Sequence, residues 1–220
     1  LGLRRRDAET RHYSERPSAL HLDHMTPSDC VWPRRIADHP VEMLDLDLGS
    51  RRIRLCAVRD LEGLVDRHAL LRGDAEPPYW AYLWSGARVL ATYLTRWIDV
   101  RGRRVLEIGC GLGLPGVTAA VLGGEVTLVD AEPVALAYAA ASAAANGVAC
   151  LPVVADFTRL DPAWRFDVIL AAEVAYDRGR FAELAAVFER HLAADGVALI
   201  ADGYRTDTSG LYRELADLRC

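Results

Sequence analysis

The chain has 220 residues, of which 51% are hydrophobic and 26% charged, and a net charge of −5. That composition belongs to one globular domain and excludes wholesale disorder. The acidic balance lacks the electrostatic footprint of a nucleic-acid binder, and no apolar run reaches the roughly 20 residues that cross a bilayer. The longest candidate, Ala135 to Ala145, carries Tyr138 and Ser142. These features read as a soluble, cytoplasmic protein with no membrane or nucleic-acid partner expected. Lys and Gln are absent and Asn146 is the sole Asn. Lysine Schiff-base chemistry and a P-loop are therefore excluded. The five cysteines (Cys30, Cys56, Cys110, Cys150 and Cys220) form no C-x-x-C pair, which reads as reduced thiols rather than a disulfide framework. His21 and His24 near Cys30 read as solvated loop residues, so no metal site is expected.

Residues 1–40 hold Arg4-Arg5-Arg6 and four prolines without sustained periodicity, and are expected to form a poorly structured extension. Residues 41–76 are expected to form a hairpin and a short helix packed on the core. Val41, Leu44, Leu46 and Leu48, then Ile53, Leu55 and Ala57, alternate with polar residues around Gly49-Ser50, a hairpin pattern. A helix is predicted from Asp60 to Leu71. Pro77-Pro78 then precedes an aromatic group, Tyr79, Trp80, Tyr82 and Trp84. Ser85 is predicted to cap a helix whose apolar residues Val89, Leu90, Tyr93, Leu94, Trp97 and Ile98 recur at helical spacing.

Buried strands and helices alternate from there. Strands are predicted at Arg104–Ile108, Val126–Asp130, Leu151–Ala155, Asp167–Ala171 and Val197–Ala201. Helices are predicted at Pro115–Leu122, Val134–Ala145 (closed by Asn146-Gly147), Arg180–Ala193 and Gly210–Leu218. Such apolar strands separated by helices mean a parallel sheet covered on both faces. The fold expected for residues 77–220 is α/β, a doubly wound, mostly parallel sheet of Rossmann-like α-β-α sandwich form, with an N-terminal β-hairpin extension.

The segment Glu107-Ile108-Gly109-Cys110-Gly111-Leu112-Gly113 sits where a nucleotide site belongs, at the carboxyl end of the first core strand. Glycines there admit positive φ and let backbone N–H groups approach a ligand. Asp130 ends the next strand, the usual place for a carboxylate that accepts ribose hydroxyls. Gly111, Gly113 and Gly116 also match G-x-G-x-x-G, so a nicotinamide dinucleotide enzyme is one competitor. Glu107 favours another ligand: a carboxylate two residues before the first glycine repels a pyrophosphate but pairs with an ammonium group. S-adenosyl-L-methionine carries that group and no phosphate.

With Pro78-Tyr79-Trp80-Ala81, Leu83-Trp84-Ser85-Gly86, Leu128-Val129-Asp130, Ala155-Asp156-Phe157 and Ala172-Glu173-Val174-Ala175-Tyr176, the chain resembles the class I, seven-strand S-adenosylmethionine-dependent methyltransferases. Within them it is similar to the protein lysine methyltransferase branch that acts on electron transfer flavoprotein β and on chaperones. The resemblance spans roughly Tyr79 to Arg205. It implies that Glu107, Gly109, Gly111 and Gly113 line the methionine half of the cofactor and that Asp130 holds the ribose. It further implies that Asp156 meets the adenine amino group with Phe157 beside the ring. Trp84 would pack on the cofactor, and Ala172 would contact it through its backbone. Read without the resemblance, Trp84 and Phe157 are core aromatics and Asp156 is a cap.

The resemblance also places Glu173 and Tyr176 beside the acceptor nitrogen as the catalytic pair: Glu173 orients an amine or accepts its proton, and Tyr176 lines the acceptor channel, where an aromatic face tolerates a cation. The structural alternative is that Glu173 caps the following helix. The loop lacks the Asn/Asp-Pro-Pro-aromatic pattern of enzymes that methylate amides or bases. His191 is too far along the next helix to serve an O-methyltransferase. Two departures stand out: Asp202-Gly203-Tyr204-Arg205 replaces the Asp-Pro-Gly-Arg often seen in related sequences, and the antiparallel strands that complete the family's sheet are missing, which reads as truncation, the alternative being an edge covered by a partner or by the N-terminal hairpin. The acceptor expected is a protein lysine, with a small-molecule metabolite or a non-catalytic cofactor-binding module as the alternatives.

Overall fold

The computed structural model describes residues 33–203 and 206–216. The triple arginine, His21, His24, Cys30 and Cys220, as well as Tyr204 and Arg205, lie outside the described residues. Two sheets are present. Strands β1 (Arg35–Ile36), β2 (His39–Asp47) and β3 (Arg52–Val58) form an antiparallel three-stranded sheet. The hairpin is the one its alternation predicts, turning where Leu48 N–H donates to Arg51 O and Gly49 takes φ +88°. The short strand β1 falls inside the stretch expected to be unstructured; the left-handed turn at Ala37 and Asp38 folds it back onto β2.

The helix expected over Asp60–Leu71 is broken in two. A 3-10 turn at Glu62–Leu64 ends at extended Val65, and α1 (Arg67–Arg72) starts afresh. The cause is Asp66, whose carboxylate accepts from His68 and Ala69 N–H and so caps a new helix. Helix α2 spans Ser85–Trp97. Its Leu90, Ala91 and Leu94 are buried, whereas Val89, Tyr93 and Trp97 of the same periodic pattern are exposed.

The second sheet is entirely parallel. It comprises β4 (Arg104–Ile108), β5 (Glu125–Asp130), β6 (Leu151–Val154), β7 (Phe166–Ala172) and β8 (Leu192–Ala201), in the order β6-β5-β4-β7-β8. The connecting helices are α3 (Leu114–Val121), α4 (Pro133–Ala145), α5 (Phe181–His191) and α6 (Ser209–Leu215). The period of two along each strand sorts the core. Val105, Val168 and Leu170 pack with α2, α3 and α4, and Leu106, Ile169 and Ala171 pack with α5 and α6. This is the doubly wound α/β sandwich that the sequence predicts.

The three-stranded sheet forms a further layer over α4. Leu55, Cys56 and Val58 share one core with Tyr138 and Ala143, which explains why α4 is apolar all round. The open edge of β3 is matched by side chains of α4. Cys56 N–H donates to Ser142 Oγ at 2.9 Å, and the Asn146 amide both accepts from Arg54 N–H (3.0 Å) and donates to Arg54 O (2.7 Å).

Candidate functional site

Strand order reverses at β4, whose neighbours β5 and β7 lead away in opposite directions. A ligand crevice forms at the carboxyl ends of the strands at such a point. A cleft of about 540 Å³ opens there.

Its floor is the turn from β4 into α3. Gly109, Gly111 and Gly113 take φ of +57°, +51° and +76°, a region in which a side chain would be strained. A Cβ on Gly111 would also stand 3.0 Å from Trp80 O, and one on Gly113 2.7 Å from the Ala139 Cβ. Glu107 lies beneath this turn, 1% exposed, with Oε2 accepting from Gly116 N–H at 2.8 Å. Burial, with a smaller contribution from Asp130, pushes its carboxyl up to about 8 against the pull of the Gly116 bond. Asp130 ends β5, 9% exposed; Oδ2 accepts from Gly111 N–H (2.8 Å) and Oδ1 from Glu132 N–H (2.9 Å). Burial raises its pKa too, opposed by those backbone bonds.

The far wall follows β6. Asp156 caps the 3-10 turn Phe157–Arg159 through Thr158 N–H and the Thr158 hydroxyl, both at 2.9 Å. It also pairs with Arg180 Nη2 at 2.9 and 3.0 Å. The cap suggested by the sequence alone is thus present, joined by an ion pair that sequence reasoning missed. Phe157 is half-buried against the α5 side of the core, with the Arg180 guanidinium 4.7 Å from its ring centre.

The near wall and mouth are aromatic. Trp84 Nε1 donates to Tyr79 O at 2.9 Å, and the Trp84 ring leans on Tyr79 and Tyr82 with centroids 6.3 and 5.5 Å away. Tyr79 stacks on Tyr176 across the mouth at 6.2 Å. The two rings are 46% and 60% exposed, so the mouth faces solvent. Ala172, at the end of β7, lines the cleft between the walls.

Glu173 has a different setting from either sequence reading. It adopts φ +57°, a strained conformation for a residue with a side chain. Its buried carboxylate accepts from Gly86 N–H (3.0 Å), Ser85 Oγ–H (3.3 Å) and Gly203 N–H (3.1 Å). It therefore caps the preceding helix α2, not the following one. Trp84 holds the N-cap position of α2 that the sequence gave to Ser85. A cap provided from 87 residues away leaves no local pattern to read. His191 is buried at the end of α5 with Nδ1 3.1 Å from Trp164 O, away from the cleft.

The structure thus brings all the sequence-predicted residues to one cleft: Trp84, Glu107, Gly109, Gly111 and Gly113, Asp130, Asp156, Phe157, Ala172, Glu173 and Tyr176. It adds Arg180 and Glu76, for which the sequence carried no signal. Among the described residues, six acidic side chains and one arginine line the cleft, a lining that favours cations over phosphates.

Comparison with known proteins agrees with this geometry. A family model described as a methyltransferase domain matches residues 105–196. The chain is 35% identical over 130 residues to the protein N-lysine methyltransferase METTL21A of Danio rerio, covering 55% of this chain and 59% of that one. It is 34% identical over 102 residues to the electron transfer flavoprotein beta subunit lysine methyltransferase of Danio rerio, covering 46% and 40%. A histidine protein methyltransferase 1 homolog of Dictyostelium discoideum is 31% identical, covering 65% and 48%. The chain thus spans roughly half the length of these relatives. Among solved structures, the T. thermophilus 16S rRNA methyltransferase RsmC shares the fold, with a TM-score of 0.59 at 16% identity over 79% of this chain and 45% of that one. Residues 105–196 therefore match a methyltransferase domain, and the chain is similar over about half its length to protein methyltransferases, lysine-specific ones among them.

Proposed function

We propose that the protein transfers a methyl group from S-adenosylmethionine to the side-chain nitrogen of a protein lysine. The observation that carries this reading is the acidic lining of the cleft, with Glu107 buried under the glycine turn. A dinucleotide would set its pyrophosphate against that acid. An amino-acid ammonium instead gives Glu107 the charge partner it lacks.

The residues present fit the cofactor. The glycine turn keeps side chains away from the ligand, and the Asp130 carboxylate, held by backbone N–H groups including those of Gly111 and Glu132, retains acceptor capacity for a ribose hydroxyl. S-adenosylmethionine supplies a methyl group on a good leaving group, so the protein has mainly to position a neutral amine and exclude water. Tyr79 and Tyr176 offer ring faces at the mouth, each worth about 0.5–2 kcal/mol to a cation. Glu173 acts here by position: it fixes the loop after β7 to the start of α2, and so sets where Tyr176 stands relative to Trp84.

The solvent-facing mouth favours a side chain presented by a macromolecule over an enclosed metabolite. The lysine-specific relatives support lysine as the acceptor, and the histidine- and arginine-specific relatives make those side chains the alternatives. The test is label transfer from methyl-radioactive S-adenosylmethionine into a cell extract, with Asp130→Ala as the blank. Label recovered as methyl-lysine in a discrete protein is expected. Methyl-histidine would replace the acceptor assignment, and label confined to small molecules would overturn it.

A further inference from the structure

Arg180 lies between the two halves of the cleft, yet neither the sequence pattern nor the methyl-transfer chemistry gives it a role. It ends the loop that carries Glu173 and Tyr176, at the step from a 3-10 turn into α5. Its guanidinium is stretched between two carboxylates, with Nη2 straddling both oxygens of Asp156 and Nε on Glu183 Oε2 at 2.9 Å. Its guanidinium carbon lies over the Phe157 ring, 4.7 Å from the centroid, and the side chain is only 33% exposed. A surface arginine with one carboxylate partner would contribute little. This one has two ionic anchors and an aromatic support, which together fix its position.

The bonding of Asp156 shows what that position does. Oδ1 accepts three bonds, from Thr158 N–H, the Thr158 hydroxyl and Arg180, and is saturated. Oδ2 accepts one, from Arg180, and so keeps acceptor capacity in a residue that lines the cleft. Thr158 alone restrains the turn of the carboxylate about its Cβ–Cγ bond through Oδ1 only. The second anchor point on Oδ2 stops that rotation.

We propose that Arg180 is a positioning residue for base recognition, holding Asp156 so that Oδ2 selects a nucleoside with an exocyclic amino group. The inference rests on the cofactor reading above and deepens it, since it says how the cleft distinguishes adenine from a base with a carbonyl at the same place. An amino group donates to Oδ2; a carbonyl there would set two acceptors against each other. Arg180 also ties the acceptor-side loop to the base wall, because it ends that loop and its guanidinium is bonded to Asp156.

The test is calorimetric binding of S-adenosylhomocysteine and its inosine counterpart, S-inosylhomocysteine, to the wild type, Arg180→Met and Arg180→Lys. The wild type should prefer the adenine compound by tenfold or more. Arg180→Met should weaken that compound on the order of tenfold, the worth of a charge-assisted hydrogen bond, and leave the inosine compound within about twofold. The preference should therefore collapse. Arg180→Lys, which keeps the charge but not the fork or the plane, should fall between them. Equal loss of both ligands in Arg180→Met would mean a structural role only and overturn the proposal, as would an unchanged preference. A lysine variant weaker than the methionine variant would overturn the charge argument on which it stands. Failure of the wild type to bind either compound would overturn the cofactor reading itself, and this inference with it.

Discussion

Glu107→Gln isolates the electrostatic cost of burying a carboxyl beneath the glycine turn. The glutamine keeps the shape of the side chain and an oxygen for Gly116 N–H, and removes only the titration. In the native protein the carboxyl is pushed to about 8, against an ordinary value of 4.5. Between those values the unfolded chain has released the proton and the native protein retains it, so stability falls by about 1.4 kcal/mol per pH unit. From pH 5 to pH 8 the loss integrates to about 3.5 kcal/mol, a fall in Tm of roughly 7–14 °C for a chain of this size. The burial of Glu107 is complete enough that little of this is lost to solvent screening. Wild type and variant should therefore melt at similar temperatures at pH 5 and diverge towards pH 8, with the variant the more stable. A ligand ammonium reverses the preference by favouring the carboxylate. Calorimetry at pH 7 in two buffers of different ionisation enthalpy should then show wild type releasing roughly nine-tenths of a proton on binding S-adenosylmethionine. The variant should release none from this site and bind more weakly. Parallel melting curves for the two proteins across this range would refute the reasoning, because they would mean that Glu107 is already ionised in the native protein.

Gly116→Ala should destabilise the fold by about 1–3 kcal/mol, since its Cβ would stand 2.3 Å from Leu128 Cδ2 and 2.5 Å from Glu107 Oε2; an unchanged urea midpoint would contradict it. Glu173→Ala strips an acceptor from Gly86 N–H, Ser85 Oγ–H and Gly203 N–H and should cost about 2–4 kcal/mol by thermal unfolding, with no relief of the positive φ, because alanine also carries a Cβ. Full stability in that variant would remove Glu173 as the cap of α2. Tyr138→Phe should be neutral or stabilising by up to about 1 kcal/mol, because the buried Tyr138 hydroxyl has no hydrogen-bond partner among the described residues; a clear loss of Tm would show that the hydroxyl is satisfied after all.

The parts of this molecule that were legible in the sequence are those written in local patterns. The strands β4, β5 and β7 are short apolar runs flanked by polar or glycine residues, and each was placed to within about a residue. The glycine turn and Asp130 announce themselves by position relative to those strands. What escaped is what long-range partners decide. Val89, Tyr93 and Trp97 share a helical period with Leu90 and Leu94, yet remain exposed, because periodicity gives the width of an apolar stripe and not the width of the surface that covers it. Asp66 broke a predicted helix because an aspartate side chain competes for backbone N–H groups in a way that hydrophobic spacing does not register. The cap on α2 comes from Glu173 and the clamp on Asp156 from Arg180, 24 residues away; no window of sequence contains either pair.

The same long-range pairs explain how one cleft carries two unlike tasks. Its inner end holds carboxyl groups that burial drives towards the neutral form, Glu107 foremost, so that the charge needed for a cationic ligand develops when the ligand arrives. Its outer end needs the opposite, side chains whose place and charge are settled beforehand. There Arg180 and Thr158 outweigh the burial of Asp156 and hold its carboxyl below the usual range, while Glu173 spends its oxygens on three donors. The inner acids lie on strands of a tightly packed sheet, where their position is assured and only their charge varies. The outer ones lie on loops, where position has to be supplied by hydrogen bonds. Desolvation dominates at one end and bonding at the other, and the boundary between them follows the carboxyl ends of β4, β5 and β7.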